Sequence, residues 1–376
     1  MRILHFDLGD ISDTLGGGQA RRTWEINRRL AQQHDVTIVT SRYPGSRNEI
    51  LEGIKFVRVG SAGRFPRNIP AYLASLPLVL RRHPSDLVIE DFTPPFGPLF
   101  TRLYTRRPVI ASVQFTFARE MSAEFKLPFW LVEESGYKLY HDFVALSTSG
   151  ADYIRKRQPR ANLEILPNAM EPVAFQFQHE PEENFITYMG RIDFHQKGLD
   201  LLLKAFAQIA PHTDAKLRII GGGSDESQMH ALITELGIGA RVEVLGRING
   251  NERLRLLARS KLVALPSRYE TSCLVAYEAL GCAKPMLTFD VRGFEGLVTP
   301  ASGLRVPPFD IEAYGYALLE LLQNDALRHT KAEGARQLAQ NFSWERTAQA
   351  QLEFYQKVLD RNNHSTTAIR SRLRSE

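Results

Sequence analysis

Short apolar runs closed by glycine, proline or serine turns recur along the chain and alternate with longer segments of helical period. The runs Arg2 to Phe6, Val36 to Thr40, Ile54 to Val59, Leu87 to Ile89, Val109 to Val113, Phe143 to Leu146 and Leu163 to Leu166 predict a first series of strands. A second series follows at Phe185 to Met189, Lys216 to Ile220, Val242 to Leu245, Val263 to Leu265 and Pro285 to Thr288. Helical patterns fall between them, from about Gln19 to Gln33, from Leu199, from about Asn251, from Leu274 to Leu280 and from about Ile311 to Gln323. The helix at Leu199 is the most regular, with Leu199, Leu202, Leu203 and Phe206 on one face. Strand, loop, helix, strand predicts parallel sheets whose ligand crevices lie at the carboxyl ends of the strands.

Between the two series, residues 168–184 carry two prolines and four glutamates with no regular period, which predicts a linker. The expected domains are thus 1–170 and 184–342. A long terminal helix is predicted over 341–360, entered at Ser343, and the basic stretch 361–376 is expected to be disordered.

Composition adds limits. The 376 residues, 43% hydrophobic and 24% charged, suit two ordinary globular domains. No apolar run reaches the roughly 18 residues of a spanning helix, and the amino terminus lacks the pattern of a signal peptide. Cys273 and Cys282 are the only cysteines, which excludes a disulfide framework and a zinc site at the usual spacing and points to the cytoplasm. Residues 1–170 hold 23 Lys/Arg against 17 Asp/Glu, whereas the remainder holds 24 against 25, so the whole basic excess lies in the first half. Two arginine-flanked apolar segments there, 64–83 and 92–107, raise the expectation of a peripheral surface for anionic membrane.

The candidate chemistry centres on residues 263–281. Glu270 follows a buried strand, Glu278 lies on the next helix, and a helix amino terminus with open N–H groups separates them. Acid, anion cradle, acid suits a ligand carrying a sugar, a diphosphate and a ribose in a row. Glycine-rich turns at Gly16-Gly17-Gly18 and Gly221-Gly222-Gly223 let backbone approach such a ligand. The first is not G-x-G-x-x-G, so a nicotinamide fingerprint is absent.

The ordered set of motifs resembles the retaining glycosyltransferases of family 4. It comprises the amino-terminal glycine loop, G-R-x-x-x-x-x-K-G at Gly190 to Gly198, the turn at 221–225, E-x7-E at Glu270 and Glu278, and a terminal F-S-W helix. The resemblance implies the GT-B fold: α/β, two Rossmann-like domains facing across a cleft, with the carboxyl-terminal helix returning to the first. It implies that Arg191 and Lys197 grip the donor diphosphate, that Glu270 faces the donor sugar and that Glu278 holds the ribose. Gly16, Gly17, Gly18, Gly222, Gly246, Arg247, Ser272, Cys273 and Leu274 would complete the donor site, and Asp91, Gln114 and Glu120 would meet the acceptor.

Three positions depart from the family pattern. Glu270-Thr271-Ser272-Cys273 stands where E-G-F-G is frequent, Gln114 stands where many members have histidine, and His195 enters the arginine–lysine motif. The implied activity is metal-independent, cofactor-free, retaining transfer of a sugar from a nucleotide diphosphate to a glycan, glycolipid or small-molecule hydroxyl. The alternatives are another GT-B enzyme, either a nucleotide-sugar epimerase or a phosphorylase, or a non-catalytic subunit that binds a nucleotide sugar or glycan. Nucleic acid is excluded as a partner because the basic residues lack an aromatic stacking platform.

Overall fold

A computed structural model describes residues 1–13, 17–63 and 67–375, with side chains described as far as His364. The chain divides into two compact units, Met1–Pro167 with Trp344–Glu376, and Asn168–Ser343.

The first unit is built on eight strands: β1 Arg2–Phe6, β2 Asp35–Ser41, β3 Glu49–Leu51, β4 Ile54–Val59, β5 Leu87–Phe92, β6 Val109–Val113, β7 Asp142–Ala145 and β8 Asn162–Ile165. Their order is β3-β4-β2-β1-β5-β6-β7-β8, parallel throughout except for the short antiparallel edge strand β3. The second unit holds β9 Phe185–Met189, β10 Lys216–Ile220, β11 Val242–Gly246, β12 Leu262–Leu265, β13 Met286–Phe289 and β14 Gly303–Val306, in the all-parallel order β11-β10-β9-β12-β13-β14. In each sheet the order reverses beside the first strand, between β1 and β5 and between β9 and β12. Loops on either side of such a reversal splay apart and leave a ligand crevice. The first strand of each unit therefore decides where its site lies.

The strands β1, β4, β6, β9 and β10 start and end at their predicted residues. Of these β6 and β9, buried along their whole length, are the clearest, because a strand covered on both faces reads as a nearly continuous apolar run. In the helix Leu199–Ile209 the residues Leu199, Leu202, Leu203 and Phe206 are all fully buried. The helix Trp344–Ser375 returns to the first unit: Trp344 is buried, Thr347 Oγ1 donates to the Pro167 carbonyl at 3.2 Å, and Arg22 spans the Pro167 carbonyl (3.1 Å) and Gln351 (3.3 Å).

Three expectations change. The stretch read as a linker from 168 is part of the second unit, because Met170, Ala174 and Phe177 are buried in its core. The segment expected to be disordered from 361 continues the terminal helix to Ser375. No glycine or proline interrupts it, and Arg361 Nη2 reaches Asp142 at 2.5 Å. The apolar residues of the two arginine-flanked segments turn mostly inward. Tyr72, Leu76 and Val79 of the helix Ile69–Arg82 and Phe92 of β5 join the first core. Leu78, Leu103 and Tyr104 stay exposed, and Arg64 lies outside the described residues.

Candidate active site

In the second unit, loops from the carboxyl ends of four adjacent strands converge. Those after β9, β10 and β11 are laced through their backbones: Gly190 N donates to the Ile220 carbonyl (3.0 Å), Ile192 N to that of Gly222 (3.2 Å), and Gly221 N to that of Gly246 (2.8 Å). The fourth loop, after β12, is fastened to the first by Arg268. Its guanidinium forks onto the Asp200 carboxylate at 2.7 and 2.8 Å and also donates to the Phe194 carbonyl, while its N–H donates to the Gln196 carbonyl at 2.8 Å. A planar fork fixes both distance and direction.

This fastening brings Lys197 Nζ to 2.5 Å from Glu270 Oε1, which also accepts from Ser267 Oγ at 2.9 Å. Burial pushes the Lys197 ammonium down, but the neighbouring Glu270 carboxylate more than offsets it, so Lys197 stays a cation. Gly198 is required next to it. Its φ of +64° is left-handed, and a Cβ there would sit 2.2 Å from the Pro266 carbonyl oxygen. Gly293, beyond β13, packs against the Glu270 backbone; a Cβ would lie 2.5 Å from the Glu270 carbonyl oxygen.

The helix Leu274–Gly281 begins three residues beyond Thr271, and its amino-terminal position, Cys273, makes no side-chain cap. Burial raises the Cys273 and Cys282 thiols to about 12, so neither is a thiolate at neutral pH. Glu278 projects from the second turn of this helix. Arg253 Nη1, from the helix Asn251–Arg259, lies 2.6 Å from its carboxylate without an aligned N–H, so charge rather than a directed hydrogen bond holds the pair. Arg191 is 57% exposed, bonded to the Gln196 side chain and 3.6 Å from Asp193. The site thus presents an exposed cation, a half-buried lysine paired with a buried carboxylate, an open helix terminus and a second carboxylate.

The remaining expected donor residues vary in setting. Gly222 is buried with Arg247 beside it, Arg247 is exposed, Gly246 and Leu274 are half-buried, and Ser272 meets the Tyr277 hydroxyl at 3.0 Å. His195 is exposed, as read from sequence, but it is not idle: its Nδ1 lies 3.2 Å from the Tyr269 hydroxyl.

In the first unit, Gly17 and Gly18 open the helix Gly18–Leu30, whose amino terminus is exposed; Gly16 lies outside the described residues. Asp91, expected at the acceptor, is fully buried. Its Oδ2 is 3.1 Å from His5 Nε2 and accepts from Thr23 Oγ1 at 2.7 Å, so it supports the β1–β5 reversal from below instead of facing an acceptor. Gln114, just past β6, is half-buried, and Glu120 is half-buried in the first turn of the helix Ala118–Phe125. The sequence reading missed Asp7, at the end of β1, which accepts from Gly9 N and Gln19 Nε2, both at 2.9 Å. Burial, then the charge of Asp91, pushes Asp7 up to about 7, while the His5 imidazolium overcomes burial and holds Asp91 low.

A pH dependence follows. A carboxyl raised on folding stays protonated in the native chain after the unfolded chain has ionised, so its contribution to stability declines from about pH 4 to about pH 7. Glu133, raised to about 7 chiefly by burial, acts in the same window. Asp7→Asn is expected to flatten the fall of the unfolding midpoint across that range. An unchanged slope would show that Asp7 ionises normally.

Residues 16–172 match the model described as Glycosyltransferase Family 4, and residues 170–338 the model described as Glycosyl transferases group 1. The chain belongs to the family 4 glycosyltransferases. Its fold is GT-B: sucrose-phosphate synthase from Thermosynechococcus elongatus superposes with a TM-score of 0.82 at 20% identity, covering 96% of this chain and 99% of that one. Anabaena HepE in complex with UDP and glucose gives 0.75 at 18% identity, covering 95% and 99%. Among curated relatives, the D-inositol 3-phosphate glycosyltransferase of Rhodococcus opacus is 34% identical over 194 residues, 49% of this chain and 43% of the relative. The match therefore spans less than half of that family member.

Proposed function

We propose that this glycosyltransferase moves a sugar from a nucleoside diphosphate to a hydroxyl acceptor with retention of anomeric configuration. The observation that carries the reading is the Lys197–Glu270 pair beside an open helix amino terminus at the strand-order reversal of the second unit. As the bond from the sugar's anomeric carbon to the diphosphate breaks, negative charge grows on the leaving oxygens. Lys197, Arg191 and the first N–H groups of the helix Leu274–Gly281 stabilise that charge. The acceptor oxygen adds on the face the diphosphate leaves, and its proton passes to the departing phosphate. Glu270 orients Lys197 and faces the sugar, and Glu278 accepts the ribose hydroxyls. No step in this reading calls on a metal ion, so turnover is expected to persist in excess chelator.

A panel of nucleotide sugars scored by thermal shift identifies the donor, since ligand binding raises apparent stability by mass action. Proton NMR of the product then reads the anomeric configuration. No donor raising the midpoint, or an inverted product, contradicts the reading. Glu278→Gln is expected to weaken nucleoside diphosphate about tenfold in titration calorimetry, since an amide offers one acceptor oxygen in place of two. Equal affinity would make Glu278 only the partner of Arg253.

The reading places the enzyme in the cytoplasm, at the face of an anionic membrane. Among the described residues no helix is long and apolar enough to cross one. Support comes from the exposed Phe125, Leu127, Trp130 and Leu131, which lie where the helix Ala118–Phe125 gives way to the helix Phe129–Leu139, outside the two arginine-flanked segments. Trp130→Ala with Leu131→Ala is expected to abolish sedimentation with anionic vesicles.

A further inference from the structure

At the amino ends of β6, β7 and β8 the first unit has a cavity of about 320 Å³. It lies at the opposite end of the parallel strands from the loops that leave the carboxyl ends of β1 and β5. Arg102, Arg106, Arg107 and Arg160 line it, and Arg361 of the terminal helix closes its wall. One lining carboxylate, Asp142, faces these five guanidiniums, and it is engaged by Arg361 at 2.5 Å and by Asn162 at 2.6 Å. Among the described residues Arg106, Arg107 and Arg160 have no carboxylate partner, and Arg102 donates only to the Thr105 carbonyl. All four are exposed, so none is held in place by packing.

Like charges gathered in one concavity repel, and a fold that merely needed soluble surface would spread them. Concentrating them is useful when an anion neutralises them. That every cation is arginine points the same way, because the planar fork matches phosphate oxygens two at a time, where lysine offers a point charge. The terminal helix contributes one wall, so an occupant would also bind the return segment to the sheet.

We propose that this cavity is a second anion site, built from residues of the first unit alone, for a ligand bearing two or more phosphoryl charges, either a soluble phosphorylated metabolite or a phospholipid headgroup. It is independent of the donor-site reading. The occupied site ties Arg361 to β6–β8 and stabilises the first unit.

Inorganic pyrophosphate is the probe, titrated calorimetrically into the full chain, into Arg106→Gln/Arg160→Gln and into Lys197→Ala. Both substituted arginines are exposed, so the double variant folds. Pyrophosphate should bind the Lys197→Ala protein at this site and bind at least about tenfold more weakly to the arginine variant, as loss of charge-assisted hydrogen bonds implies. Without pyrophosphate, at low salt, the arginine variant should melt higher than the natural chain, because repulsion has been relieved. Equal pyrophosphate affinity in the natural chain and the arginine variant overturns the proposal. So does loss of all pyrophosphate binding in Lys197→Ala, which would confine it to the donor site. Vesicles of phosphatidylcholine doped with phosphatidic acid separate the two sources. Capture that depends on Arg106 and Arg160 identifies a lipid headgroup, whereas pyrophosphate binding without such capture identifies a soluble ligand.

Discussion

Lys197→Ala is expected to lower turnover by about 10² or more, the usual consequence of removing a donor that acts in the transition state. The loss should fall on kcat more than on KM, because leaving-group charge is greatest as the sugar–diphosphate bond breaks. The substitution has a structural side as well. Lys197 is bonded to a Glu270 side chain that is only 6% exposed, and removing the lysine leaves that buried charge uncompensated. Stability should therefore fall too. Lys197→Ala with Glu270→Gln separates the two effects: the second change removes the stranded charge and restores the unfolding midpoint, but turnover stays low. Recovery of turnover in the double variant would show that the single variant merely disturbed the fold.

The second large effect is on stability and lies in the first unit. Asp10 and Arg58 are each 1% exposed, joined at 2.7 Å through Arg58 Nε and again at 3.2 Å through Nη2. Asp10 also accepts from Thr40 Oγ1 at 2.6 Å and Ser12 N at 2.8 Å, and Arg58 reaches Glu49 at 2.7 Å. This hub fixes the loop leaving β1 onto β2, β4 and β3, just ahead of the glycine run. Asp10→Ala leaves a buried guanidinium with one remaining carboxylate, at a cost of about 3–5 kcal/mol by chemical denaturation. A cost under about 1 kcal/mol would show that water reaches Arg58. Arg58→Met paired with Asp10→Leu, which removes both charges, should cost much less than either single change.

The architecture was legible because buried parallel strands are written as apolar runs, and their turns as glycine and proline. That Gly198, Lys197 and Glu270 come together was legible for a related reason: they sit at loop ends, where chemistry and tight backbone both leave residue-type signatures. What joins them was not. Arg268 and Asp200 are 68 positions apart and look like ordinary surface charges until the β9 and β12 loops meet. Arg253 beside Glu278, Asp10 with Arg58, and the buried His5–Asp91 contact are likewise pairings across space, with no period or spacing to betray them. Asp91 was misjudged for the converse reason. A carboxylate at a strand end reads as a ligand contact, and only the neighbouring elements reveal that Thr23 and His5 have already claimed it. The segment from 361 is polar, basic and without apolar period, which says little about a helix already nucleated by the preceding turns.

A crystal structure of the chain with its preferred nucleotide sugar tests the central claim most directly. The account predicts the diphosphate at the amino terminus of the helix Leu274–Gly281, within hydrogen-bonding reach of Lys197 Nζ and Arg191, with the ribose on Glu278 and the sugar beside Glu270. A diphosphate bound away from Lys197, with Glu278 still held only by Arg253, would contradict it.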